Sequence, residues 1–172
     1  MENKQKSFYK IFKIKLFFIF LLIIKIRTYK KPKLSVIVPI YNIKKYYLNK
    51  ILVLLMVQPL KEAEFILIDD KSTDGTGKYI EKFTKKDNRF LIIHNFKNLG
   101  IATSRNIGLN FVVSKFLTFS DDDDFFDIDS YKIIINEMEK DSSIDLIQFK
   151  FIGLYNDQDH LKPYSLYIKS FL

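Results

Sequence analysis

The stretch Phe116 to Ser120 is a short, mostly apolar run, of the length and type that suit a buried strand, and four aspartates follow it without a break, Asp121 to Asp124. This junction constrains the chain more than any other stretch. Four adjacent carboxylates repel one another, and nothing in a simple fold asks for them. A divalent cation removes the conflict, because hard oxygen ligands suit Mg²⁺ or Mn²⁺. Open α/β sheets also place their ligands where strands end. The plain alternative is a solvated acidic turn that carries a helix N-cap, since Asp caps helices well.

The rest of the chain supplies the context. Leu34 to Ile40 reads as a buried strand, with Pro39 expected to end its ladder pairing. Tyr46 to Val57 is long enough for a helix, with Tyr47, Ile51, Leu54 and Leu55 on one face. Phe65 to Ile68 is a second strand, and it too ends in carboxylates, Asp69 and Asp70. Lys71 to Gly77 is turn chemistry, with Thr76 able to cap a helix over Lys78 to Lys86 whose Tyr79, Ile80 and Phe83 point inward. Phe90 to His94 is a third strand, and Ile101 to Val113 a helix that tolerates Gly108. Ser130 to Lys140 is a last helix capped by Ser130, and Asp145 to Ile152 a last strand. This alternation predicts an α/β layer fold with a mostly parallel sheet flanked by helices.

Charge and composition limit the partners. The net charge of +8 resides in the first 33 residues, which hold ten Lys/Arg and one Glu, and the rest of the chain is nearly neutral. A nucleic-acid surface is therefore not expected. With no cysteine, disulfides and Cys-based zinc sites are excluded. Leu16 to Ile24 is an apolar run between lysines, shorter than the ~20 residues of a spanning helix. The expectation is a basic and apolar arm, residues 1–32, that anchors the chain at a membrane surface, with the remainder cytoplasmic; a helix packed on the domain is the alternative. The domain itself is expected over 33–152, followed by a remnant, 153–172.

Four segments, LSVIVPIYN at 34–42, EFILIDDKSTDGT at 64–76, NLGIATSRNIG at 98–108 and FLTFSDDDDFFD at 116–127, occur in an order and spacing that resembles the family 2 glycosyltransferases with the GT-A fold. The resemblance implies a nucleotide-sugar donor, often a UDP-sugar, and an acceptor that is a saccharide, lipid or protein. It implies that Asp70 contacts the nucleotide base and that Pro39 and Tyr41 line the same pocket, with Arg105 near it. Asp121 and Asp123 match the two ends of the DxD motif, Asp123 as the main ligand of Mn²⁺ or Mg²⁺ and Asp121 nearer the ribose. Asp122 stands at the variable middle position, and Asp124 would bind through water. Gly100 and Gly108 would allow tight turns or close helix–sheet contact.

Each residue also has a structural reading. Asp69, Ser72 and Asp74 fit as turn formers, Arg105 as one half of a salt bridge, and His94 as a strand-end residue. Lys71 stands where relatives have Gly, so a positive φ there would be strained. The general base that inverting relatives carry beyond the DxD motif has no match, and Asp157 and Asp159 are weak stand-ins. The chain therefore reads as a donor-binding half, either a transferase or a nucleotide-sugar-binding remnant without turnover. A haloacid dehalogenase-type phosphatase is disfavoured, because Phe125 follows Asp121-x-Asp123-x where that motif needs Thr or Val.

Overall fold

The structure, a computed structural model, describes residues 32–149 and the backbone of a strand at 166–169. The order is β1 (Leu34–Ile40), α1 (Lys45–Met56), β2 (Ala63–Asp69), α2 (Thr76–Thr84), β3 (Phe90–His94), α3 (Ile101–Leu109), β4 (Phe116–Phe119), α4 (Ser130–Lys140), β5 (Leu146–Phe149) and β6 (Leu166–Lys169). The described residues fall into two compact units, divided between Ile128 and Asp129.

The first unit holds a wholly parallel four-stranded sheet in the order β3-β2-β1-β4. The expected α/β class with a parallel sheet is what the chain adopts. Every residue of β1 and β2 is buried, which is why both read as near-continuous apolar runs. The edge strands β3 and β4 are only partly covered, and Leu117 and Phe119 are exposed. Ile37, Ile66 and Ile68 form a core cluster on which Leu91, Ile93, Ile107, Phe111 and Val112 pack. Gly108 is what lets α3 approach: a Cβ there would lie 2.5 Å from Ile37 Cγ2. In the second unit β5 and β6 pair antiparallel, and α4 buries Tyr131 and Ile135.

The chain crosses from β1 outward through β2 to β3, then returns to the other side of β1 for β4. The C-terminal ends of β1 and β4 thus flank a topological switch point, the crevice where such sheets bind ligands.

Several sequence expectations need correction. Pairing does not stop at Pro39: β1 continues against β2 through Ile40 opposite Asp69, and the Asp70 amide donates to the Ile40 carbonyl. The α1 face is Leu48, Ile51, Leu52 and Leu55, while Tyr47 is exposed. Residues 47 and 54 are as apolar as their neighbours, so composition alone could not phase the helix. Helix α2 begins at Thr76 and buries Ile80 and Thr84, leaving Tyr79 and Phe83 half-buried. Helix α3 ends at Leu109, and Ser130 is the first residue of α4, not its cap.

The membrane-associated reading is also corrected. Among the described residues no helix is long and apolar enough to cross a membrane. The arm of residues 1–32 on which that reading rested lies outside the described residues, apart from Pro32.

Candidate functional site

The acidic run starts immediately after β4. The Ser120 amide donates to the Ile37 carbonyl at 3.0 Å, which extends the β1–β4 contact by one residue and delivers Asp121 to the mouth of the switch point. The buried Ser120 hydroxyl donates to the Asp121 carbonyl at 3.3 Å, and the Asp124 amide donates to the same carbonyl at 3.3 Å. Asp121 and Asp122 are half-buried, and Asp123 and Asp124 exposed.

Two neighbours tie the run to the sheet. Arg105, from α3, makes an ion pair with Asp121 through Nη2, and its guanidinium lies 5.6 Å from the Phe119 ring centroid. Among the described residues its buried Nε has no hydrogen-bond partner. From the end of β1, the Tyr41 backbone N–H lies close enough to the Asp122 carboxylate to favour its charged form. Burial outweighs that and pushes Asp122 up to about 6, and the Asp123 and Asp121 charges add to the rise. Burial also raises Asp124, helped by the charges of Asp121 and Asp123. Burial first, and the neighbouring carboxylates second, disfavour charge on Asp122 and Asp124. Of the expected residues, Tyr41, Arg105 and Asp121 meet here, with Pro39 buried two residues back in β1.

Asp70 is placed differently. It is 3% exposed, and its carboxylate accepts from Asn95 Nδ2 at 2.7 Å and from the Leu99 and Gly100 amides at 2.9 and 2.8 Å. Burial would raise its pKa, but these bonds and one from Ser104 outweigh it and hold the carboxyl below the usual range. Asp70 therefore pins the loop that leads into α3, whose Gly100 takes φ +81° at the N-cap. Asn95 and Ser104 complete this arrangement, and no local sequence signal marks them, since their partner lies 25 or more residues away.

The turn residues do what turn residues do. The Thr76 amide donates to Asp74 Oδ1 at 3.0 Å, and the Thr76 hydroxyl bond is the main reason that the Asp74 pKa is lowered. Lys71 does take a positive φ, +64°, as does Asn42 at +47°. Asn42 bridges the loops after β1 and β2: its amide donates to Ser72 Oγ at 3.1 Å and its Oδ1 accepts the Thr73 amide at 2.8 Å. Its place right after a strand was the available signal, because Asn tolerates left-handed backbone.

Among the described residues no group of three or more His, Asp or Glu side chains converges to hold a metal. The four aspartates are adjacent in sequence, but their carboxylates do not close into a cage. Asp157, Asp159 and His160 lie outside the described residues.

Comparison with known proteins agrees with this architecture. The chain is 38% identical over 97 residues to Glycosyltransferase GlyA of Streptococcus pneumoniae, covering 56% of this chain and 14% of that protein. It is 32% identical over 127 residues to Glycosyltransferase GlyG of the same organism, covering 73% of this chain and 40% of GlyG. The chain thus spans well under half the length of these relatives. Among solved structures, S. aureus TarS 1-349 in complex with UDP-GlcNAc superposes with a TM-score of 0.64 at 27% identity, covering 76% of this chain and 37% of that one. The profile of the family described as Glycosyl transferase family 2 matches residues 35–170, so the chain belongs to the family 2 glycosyl transferases.

Proposed function

We propose that this chain binds a nucleotide-diphospho-sugar, read as a UDP-sugar, at the C-terminal ends of β1 and β4, and serves its transfer to an acceptor hydroxyl. The observation that carries the reading is the acidic run starting at the switch point, next to Tyr41 and ion-paired to the Arg105 guanidinium. The UDP-GlcNAc complex of TarS supports a uridine donor.

The donor set fits a divalent cation. Carboxylate oxygens are the ligands that Mg²⁺ and Mn²⁺ prefer, and Mg²⁺ on a nucleotide takes only one or two carboxylates, with phosphates and water filling the rest. Part of the rise at Asp122 comes from the Asp123 and Asp121 charges, which a cation would offset. Asp123 and Asp121 would hold it, and once bound it would neutralise charge building on the diphosphate leaving group. Arg105 orients Asp121 through its ion pair. Tyr41 and Pro39 form the β1 side of the same mouth, and Asp70 holds the loop that positions Arg105's helix.

The test is release of UDP from UDP-GlcNAc with Mn²⁺, with and without a panel of saccharide, lipid and peptide acceptors. The reading expects metal-dependent release that an acceptor accelerates, and a fall of about a hundredfold in Asp123→Asn, as loss of a metal contact worth several kcal/mol implies. Release unaffected by EDTA or by Asp123→Asn would contradict it. Metal-dependent binding with no acceptor-stimulated release would instead fit a nucleotide-sugar-binding module.

A further inference from the structure

His94 closes β3 beside Asp69, its register partner at the end of β2. Its Nδ1 lies 2.8 Å from Asp69 Oδ2, and its Nε2 lies 3.0 Å from Glu81 Oε1 on α2. A ring with a carboxylate at each nitrogen can donate to both only as the imidazolium. The other Asp69 oxygen, Oδ1, accepts the Ser72 amide at 3.0 Å. Ser72 Oγ accepts the Asn42 amide, and Asn42 Oδ1 accepts the Thr73 amide. A continuous set of bonds therefore runs from Glu81 through His94, Asp69 and Ser72 to Asn42.

The two loops at the far end of this set both contain residues in left-handed backbone, Lys71 and Asn42. Such conformations persist only where the surroundings hold them. The pairing is close: a Cβ on Gly77 of α2 would lie 2.5 Å from Asp69 Oδ2 and 3.3 Å from His94 Cε1.

We infer that His94 is a positioning residue for the donor site: clamped between Asp69 and Glu81, it fixes the loop at 70–75 and, through Ser72 and Thr73, the Asn42 loop. The inference rests on the donor-site reading, because these loops adjoin Asp70 and Tyr41. The charged groups facing the ring are Asp69 from β2 and Glu81 from α2. Burial lowers the His94 pKa, but its bonds to Asp69 and Glu81 outweigh that and raise it above the ordinary 6.5. A raised histidine pKa gives a clamp that is complete below the unfolded value. The clamp is lost as pH rises through the folded one. The neutral ring has one donor, so one of the two carboxylate bonds then fails.

The test is amide hydrogen exchange on the full chain from about pH 5.5 to about pH 8.5, the range that spans histidine titration, corrected for intrinsic exchange. It is paired with titration of UDP and Mn²⁺ at each pH. In the wild type the Ser72 and Thr73 amides should lose protection roughly three- to tenfold across the His94 titration, as loss of a partly exposed charged hydrogen bond implies. UDP affinity should weaken over the same interval. In His94→Gln both should be low and flat. Glu81→Gln, at an exposed helix position, should fold normally and move the step to lower pH. Ser72 and Thr73 protection that is independent of pH and unchanged in His94→Gln would overturn the inference. So would a UDP affinity insensitive to both pH and His94→Gln. Absent UDP binding with the protection step intact would support the clamp and overturn the donor-site reading alone.

Discussion

Arg105 on α3 is ion-paired to Asp121, the first carboxylate after β4. The pair joins the SRN segment to the acidic run, two stretches that the family resemblance assigns to one site. It is partly exposed, with side chains 34% and 41% accessible, so its own contribution to stability is small. Arg105→Ala should therefore change unfolding free energy by less than about 1 kcal/mol while weakening UDP binding by about tenfold, the loss of one charge-assisted contact. Paired urea unfolding and UDP titration would separate the two effects. An equal loss in both would make Arg105 a structural residue only.

Asp70 behaves in the opposite way. It is buried and accepts bonds from two backbone amides and Asn95. In Asp70→Asn an amide NH₂ must face one of these donors, so unfolding free energy should fall by about 2–4 kcal/mol. Its lowered pKa gives the pH sign: the stabilisation is present above the unfolded value of 3.8 and is lost as pH falls through the folded value. Denaturant titration of wild type and Asp70→Asn at neutral and acid pH checks both statements.

Asp122 carries the reverse sign. Its carboxyl is raised from 3.8 to about 6, so the folded state disfavours its charge, and stability falls as pH rises between these two values. Asp122→Asn keeps the shape of the side chain and removes the charge. It should stabilise the metal-free chain by about 1–2 kcal/mol at pH 7, with the gain vanishing near pH 4. Thermal or urea unfolding in EDTA across this range is the measurement.

How far the site was legible follows from these residues. The strands β1 and β2 were readable because both of their faces are buried, which forces unbroken apolar runs. The acidic run at the end of β4 was readable because four clustered charges have no cheap structural use. The division of labour between Asp69 and Asp70 was not. Asp69 sits in the His94 clamp and Asp70 under the α3 loop, and both depend on partners that only the fold brings near. The start of α2 was hidden because Thr76 and Gly77 look like turn residues yet form its first turn.

Lys71 departs from the Gly of the family pattern, and it sits at a positive φ, +64°, that such a Gly would accommodate without strain. Lys71→Gly should be neutral or slightly stabilising, because the relieved left-handed strain roughly offsets the flexibility of Gly. Lys71→Ile, β-branched at a positive φ, should cost about 1–2 kcal/mol. Equilibrium unfolding of the two variants against wild type would check the contrast, and equal stabilities would remove the strain.

The central claim is that the aspartates after β4 bind a nucleotide diphosphate through a divalent cation. Calorimetric titration of UDP into the full chain, with Mn²⁺, with EDTA and in Asp123→Asn, tests it most directly. The account predicts binding with Mn²⁺ that is lost in EDTA and in Asp123→Asn. UDP affinity indifferent to both metal and Asp123, or no binding under any condition, would contradict it.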